Sequence, residues 1–263
     1  MMHDWFVSGL NEMLLLFVIA VVAAVVDAIA GGGGLITVPS LMMAGLPPVT
    51  VLGTNRFQAV IGELTTSFMY LRSGQLTWQQ LKLGLLFTII GSVFGSMMVS
   101  MLDKNTLEIL LPVLMVAITL YSVTSSKLKA TSSSAAKVAT VPYMVFAGLR
   151  LGFYNGFFGP GTGSLWMLSL VIFLGYTIKQ ATMVTKPLNL MGNVVSLGLF
   201  VYIGQVDYRL GLVMGIGQVV GSVLGSQLVL HHGPRFIRPV FICVTLLMTS
   251  KLLWEHLPAG WSV

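Results

Sequence analysis

Ala30-Gly31-Gly32-Gly33-Gly34-Leu35 and Pro160-Gly161-Thr162-Gly163-Ser164-Leu165 close two apolar runs that lie 130 residues apart. Outward from these hexapeptides the register holds without a gap. Gly45 falls on Gly175, Arg56 on Lys186, Gly62 on Gly192, Gly74-Gln75 on Gly204-Gln205 and Trp78 on Tyr208. Gly91-Ser92-Val93-Phe94-Gly95-Ser96 falls on Gly221-Ser222-Val223-Leu224-Gly225-Ser226. From 31 to 99, 13 of 69 positions are identical at this single offset, and glycine alone does not produce a gapless match of that length. A duplicated, strongly apolar chain is the sequence signature of secondary transporters built from two repeats.

Composition sets the solvent. The chain has 263 residues, 56% hydrophobic and 8% charged, with a mean hydropathy of +0.91. Soluble domains carry roughly 25% charged residues, so this chain could not cover itself in water and reads as an all-α polytopic membrane protein. The 29 glycines and 16 methionines suit close helix packing in lipid. A net charge of +6 does not point to nucleic acid, because the basic residues lie in short loops where they orient helices. The single cysteine, Cys243, lies in the last apolar run as a small core residue. The first run follows an N-terminus without Lys or Arg, unlike a cleavable leader.

Apolar runs lie at about 10–30, 35–45, 56–71, 82–101, 107–124, 141–159, 163–176, 184–203, 209–230 and 236–254. A spanning helix needs about 20 residues. The second and seventh runs fall short, and they hold matching places directly after the glycine clusters. Each repeat thus has about five hydrophobic segments, the second short or re-entrant. The repeats are expected over 1–124 and 141–263, with a Ser/Lys-rich linker at 125–140 that runs from Ser125-Ser126-Lys127-Leu128-Lys129 to Lys137. With that linker in the cytoplasm, ten crossings satisfy the loop charges better than eight, which predicts inverted repeats and both termini outside. Trp5, Trp78, Tyr208 and Trp261 fall at predicted membrane edges. Gly91/Gly95 and Gly217/Gly221/Gly225 form small-xxx-small patterns for helix contact rather than for ligand binding.

Charge at membrane depth costs a few kcal/mol and marks candidate sites. Asp27 lies late in the first run, Arg56 and Glu63 on the third, Arg150 within the sixth and Lys186, Asn189 and Asn193 on the eighth. Arg56 and Glu63, seven apart, share a helix face, as do Lys186, Asn189 and Asn193 at spacings of three and four. Arg56 matches Lys186 in the repeat and Glu63 matches Asn193, so the two polar faces are expected to meet at the centre. The five charges sum to +1, which suits an anion, attracted by Arg56 and Lys186 and hydrogen-bonded by Asn189 and Asn193. Helix starts after Gly32, Gly33 and Gly34, and after Gly161, Thr162, Gly163 and Ser164, offer backbone N–H groups and positive dipole ends for an oxyanion. Asp27 or Glu63 is a candidate for carrying a coupling proton, and Arg150 for balancing charge. Blander roles compete: Arg56 and Lys186 snorkelling from helix starts, Arg150 pairing with an acid, Asn155 ending a helix. The four histidines lie near the termini or in a loop, so neither a metal nor a cofactor is expected. No strand precedes the glycine loops and no Gly-Lys-Ser/Thr follows them, which excludes a nucleotide loop.

At these residues the chain resembles the TauE/SafE sulfite-exporter-like proteins, also described as toluene-sulfonate uptake permeases. The likeness is carried by Asp27-Ala-Ile-Ala-Gly-Gly-Gly-Gly-Leu-Ile-Thr-Val-Pro39, by Gly53-Thr-Asn-Arg56, by Gly152-Phe-Tyr-Asn-Gly-Phe-Phe-Gly-Pro-Gly-Thr-Gly-Ser164 and by Val206-Asp-Tyr208, with an echo in Leu76-Thr-Trp78. It covers about 15–254. The resemblance implies a carrier of the bacterial plasma membrane for sulfite, a sulfonate or another small organosulfur anion. The chain departs from the family in its second glycine cluster, Gly159-Pro-Gly-Thr-Gly163, which is stiffer than the usual run of glycines. The reading is therefore a secondary anion transporter working by alternating access. Its rivals are a channel or structural membrane subunit, and more remotely an intramembrane hydrolase using Ser164 or the Asp27/Glu63 pair. Oligomeric state, direction and coupling ion are not written in the sequence.

Overall fold

The computed structural model describes residues 9–103 and 135–232, with isolated positions between 106 and 117. Eight helices and no strand occur among them: α1 (Leu10–Ala30), α2 (Gly34–Met43), α3 (Pro48–Arg72), α4 (Trp78–Ser100), α5 (Thr140–Phe157), α6 (Thr162–Leu174), α7 (Ile178–Tyr202) and α8 (Tyr208–His232). Local chemistry sets their ends. Gly31 ends α1 in the left-handed region (φ 76°), its N–H on the Asp27 carbonyl, where glycine carries no Cβ penalty. Pro48 opens α3 at a position whose N–H has no helical partner. Thr177 caps α7, its hydroxyl accepting from Gln180 N at 3.2 Å. Asp207 does the same for α8, Oδ1 accepting from Leu210 N at 2.9 Å.

Among the described residues four helices, α1, α4, α7 and α8, are long and apolar enough to cross a membrane. At 1.5 Å per residue, the 10 residues of α2 and 13 of α6 reach only about 15 and 20 Å, against a hydrocarbon core of about 30 Å. The short segments foreseen after the glycine clusters are therefore real, and neither crosses unaided. Leu10, Leu14, Leu15, Val18 and Val22 of α1 and Phe94, Met97 and Met98 of α4 are exposed, the outward apolar face a helix bundle presents to lipid.

The helices α1, α3 and α4 open at 10, 48 and 78, and α5, α7 and α8 open at 140, 178 and 208, each 130 residues after its counterpart. The packing follows the same correspondence. Helix α1 lies along α8, α4 lies along α5, and α3 crosses α7 at the centre. Glycine makes the two outer contacts. A Cβ on Gly91 or Gly95 would run into the backbone of α5, and one on Gly152 or Gly156 into that of α4. Gly217, Gly221 and Gly225 press in the same way on α1 at Phe17, Val21 and Val25. Ser92 and Ser96 then hydrogen-bond the carbonyls of Gly152 (2.9 Å) and Gly156 (3.3 Å) across the contact.

Two helix boundaries differ from the expectation. Helices α3 and α7 begin at Pro48 and Ile178, about two turns and about two turns respectively before the apolar runs expected from 56 and 184. The early turns carry inward-facing polar residues: Thr54, Asn55 and Thr182 are all buried, and a hydropathy reading discards such residues. The fifth and tenth segments (107–124 and 236–254), most of the 125–140 linker, Cys243, Trp5 and Trp261 lie wholly or largely outside the described residues.

Candidate functional site

The last turn of a helix leaves carbonyls without partners; in α1 the Asp27 carbonyl keeps Gly31 N at 2.8 Å, and side chains from three other helices reach it and the three that follow. Lys186 Nζ of α7 donates to the Asp27 carbonyl, Tyr70 of α3 to Ala28 (3.0 Å), Thr182 of α7 to Ile29 (3.2 Å) and Ser164 of α6 to Ala30 (2.9 Å). Gly31 then accepts from Ser164 N at 3.2 Å, and its backbone lies against Gly163 so closely that a Cβ on either glycine would overlap the other. The two glycine clusters thus touch. They do so because neither carries a side chain at the crossing.

Lys186 is fully buried and also pairs with the Asp27 carboxylate, Nζ to Oδ2 2.7 Å. The other oxygen of Asp27 accepts from Gly33 N at 3.1 Å, so the protein's own carboxylate sits at the start of α2, where a helix dipole favours negative charge. Arg56 does for α5 what Lys186 does for α1. Its guanidinium donates to the Asn155 carbonyl in the last turn of α5, and the face of Gly159 (φ 97°) lies against it. Each cation caps a broken helix of the opposite half. Both sit eight residues inside their helices, Arg56 1% and Lys186 0% exposed. Neither snorkels.

The partners of the two cations differ in kind. Lys186 has a carboxylate. Arg56 has amides: Nη1 donates to Asn155 Oδ1 (2.7 Å) and to Asn193 Oδ1 (2.6 Å). From there two branches lead to Glu63. Asn193 Nδ2 donates to Glu63 Oε2 at 2.7 Å. Asn155 Nδ2 donates to Asn189 Oδ1 at 3.1 Å, and Asn189 Nδ2 donates to Glu63 Oε1. Arg56 Nε is buried without a partner among the described residues, and so is Gln58 Oε1.

These groups border one small polar cavity of about 20 Å³, room for about one water. Its walls include Asp27, Arg56, Gln58, Glu63, Asn189 and Asn193, together with Gly31, Gly33, Gly34, Gly159 and Gly161 of the two clusters. Of the residues singled out in the sequence, these converge. Lys186 reaches the site through Asp27. Thr162 and Ser164 spend their hydroxyls on the Gly159 (2.6 Å) and Ala30 carbonyls, and Gly32 and Gly163 are buried in the crossing. Arg150 stands apart. It is exposed on α5, beside an apolar groove lined by Val138, Phe146 and Phe173, so the formal charges left at the centre, on buried Glu63, Arg56 and Lys186 and half-buried Asp27, balance to zero rather than +1. The sequence reading missed Asn155 as a site residue, along with Gln58, Asn55 and Gln218. Asn55 and Gln58, on either side of Arg56 and three apart, share a helix face of their own, a signal that was available. Asn155 has no polar neighbour on its helix face and gave none.

A family profile described as "Sulfite exporter TauE/SafE" matches residues 16–252. A "Probable membrane transporter protein" of Haemophilus influenzae is 36% identical over 256 residues, 96% of this chain and 98% of that protein. The "Probable membrane transporter protein YfcA" of Escherichia coli K12 is 37% identical over 240 residues, 91% and 89% of the two chains. A "Probable membrane transporter protein ORF9" of a Sinorhizobium species is 37% identical over 242 residues, 90% and 91%. No solved structure matches the chain. With lipid-facing helices around a buried polar centre and these relatives over nearly its whole length, the chain belongs to the TauE/SafE family of multi-pass membrane transporters.

Proposed function

We propose that the protein carries a small oxyanion, a sulfite- or sulfonate-like species, by alternating access around the cavity at Arg56. One observation carries the reading: a fully buried guanidinium whose Nε lacks a partner among the described residues, on the wall of a cavity otherwise lined by glycine backbone and amides. A buried unsatisfied donor costs about 1–3 kcal/mol, which an oxyanion would recover through a charge-assisted bond. Arg56 anchors the anion. Asn189 and Asn193 reorient to meet it. The glycines of both clusters (Gly32 to Gly34, Gly161 and Gly163) let backbone approach it, with Thr162 and Ser164 holding the crossing. Lys186 and Asp27 fasten α1 to α7. A cavity of about 20 Å³, room for about one water, cannot hold even three-oxygen sulfite, so cargo enters only when the halves separate, as a rocking mechanism requires. The anion class rests on Arg56 and on the family's description as sulfite exporters.

The test is uptake of radiolabelled sulfite and methanesulfonate into proteoliposomes. Arg56→Ala is expected to lower saturable flux at least tenfold at equal folded amount, with Arg56→Lys recovering only part, because a lysine ammonium does not reproduce the fork of donors. Parental flux in Arg56→Ala would overturn the site. Flux that neither saturates nor responds to countertransport would instead make the protein a channel.

A further inference from the structure

The bonds between Arg56 and Glu63 all run one way. A guanidinium only donates, so the oxygens of Asn193 and Asn155 must face it. Their amide nitrogens must then face outward, onto Glu63 from Asn193 and onto Asn189 from Asn155. Asn189, its oxygen taken, turns its nitrogen on the other carboxylate oxygen. The cation and the acid of α3 never touch. They are joined through amides of α5 and α7, and each amide is held at both ends.

An anion on Arg56 breaks that arrangement at one point. Bound at the free Nε–H, it draws the guanidinium toward itself and off Asn193 Oδ1, and the Asn193 amide is freed to rotate. Turned over, the amide presents oxygen to Glu63, and oxygen against a carboxyl oxygen is stable only when the carboxyl carries a proton to donate. Charge balance points the same way. Asp27 with Lys186 and Arg56 with Glu63 cancel, so an added anion leaves a buried net charge of −1, an arrangement that is strongly unfavourable without a compensating partner. A proton on Glu63 restores zero.

We propose that an anion at Arg56 and a proton at Glu63 are taken up together, coupled through the Asn193 amide. This rests on the anion site of the preceding section. The proton leaves hydronium or a buffer ammonium, breaking one O–H or N–H bond there, and forms one O–H bond on Glu63; no other covalent bond changes. Asp27 does not compete for the role, because Lys186 Nζ at 2.7 Å and Gly33 N at 3.1 Å hold its two oxygens. Among the elements packed against α3, the titratable groups whose charges reach Glu63 are Asp27 on α1 and Lys186 on α7. Arg56 lies on α3 itself, with Tyr154 of α5 beside it. Helix α8 brings Gln218, which is uncharged, to the cavity, and α2 has no titratable side chain. By linkage, one proton per anion makes affinity rise about tenfold for each unit fall in pH while Glu63 is unprotonated in the free protein.

The experiment is titration calorimetry of the purified full chain with methanesulfonate, ethanesulfonate and sulfate. Tris and triethanolamine serve as buffers, since both are cationic and differ in ionisation heat. The difference in apparent heat between them counts protons. About one proton per anion is expected for the parent, and a count near zero for Glu63→Gln with anion binding retained and no longer pH-dependent. Anion binding without proton uptake in the parent overturns the coupling and leaves the anion site standing. Proton uptake that persists in Glu63→Gln overturns the assignment to Glu63. Failure of all three anions to bind the parent overturns both. The parental proton count and its pH slope decide the coupling even where Glu63→Gln does not fold.

Discussion

Lys186→Met isolates the fastening between the halves. Methionine keeps the length and much of the volume of the lysine stem and fills irregular space well, so little of its effect comes from a cavity. What is lost is the pair of bonds from Nζ to the Asp27 carbonyl and carboxylate. The carbonyl keeps Gly31 N at 2.8 Å, whereas the carboxylate keeps only Gly33 N at 3.1 Å and stands unneutralised. Removing one partner of a buried pair costs about 3–5 kcal/mol. With the Asp27 side chain 16% exposed, the lower end, about 3 kcal/mol, is expected. Adding Asp27→Asn removes the stranded charge but keeps an oxygen for Gly33 N, so the double variant should regain about 2 kcal/mol. Unfolding of the four proteins of this cycle in mixed micelles measures the coupling directly. If the two substitutions add within about 0.5 kcal/mol, Asp27 and Lys186 do not fasten α1 to α7.

Two further outcomes test the frame. Gly152→Leu drives a side chain into the main chain of Thr88 and should cost at least about 1–3 kcal/mol or abolish folded protein. Gly198→Ala, with open space around it, should be neutral or gain about 0.5–1 kcal/mol; thermal melts in detergent separate the two, and equal tolerance would refute the close α4–α5 contact. Ser164→Ala leaves the buried Ala30 carbonyl without its donor and should lose about 1–3 kcal/mol of stability with flux per folded molecule retained. Full stability with abolished flux would make Ser164 a cargo contact instead.

The charged core was legible because charge in an apolar chain is conspicuous. Arg56, Glu63, Lys186, Asn189 and Asn193 stand out against leucine and valine, their spacing puts them on one face of each helix, and the structure brings them together. The short second segments were legible because glycine punctuates them. Arg150 was misjudged by the same logic: depth along a helix is visible in sequence, but the direction a residue points on α5 depends on which face α4 covers. Asn155 was hidden because its bonds run to residues 34 to 99 positions away, and a single amide late in an apolar helix looks like a stop signal.

The repeat also shows why the two cations have different partners. In register, Arg56 and Lys186 are counterparts, and each caps the other half's broken helix. The counterpart of Asp27 is Phe157, so the second half supplies no carboxylate to Arg56, and its guanidinium rests on neutral amides. Neutral acceptors are displaced by an anion far more readily than a charge already paired. The counterpart of Glu63 is Asn193, which turns what would be a second acid into the amide that links Arg56 to the first. On the proposed function, these two differences between the halves separate a permanent fastening at Lys186 from an exchangeable one at Arg56. A symmetric chain with Asp at 157 would hold both cations shut, and Phe157→Asp is accordingly the change that should silence cargo binding at Arg56 without touching a residue on the cavity wall.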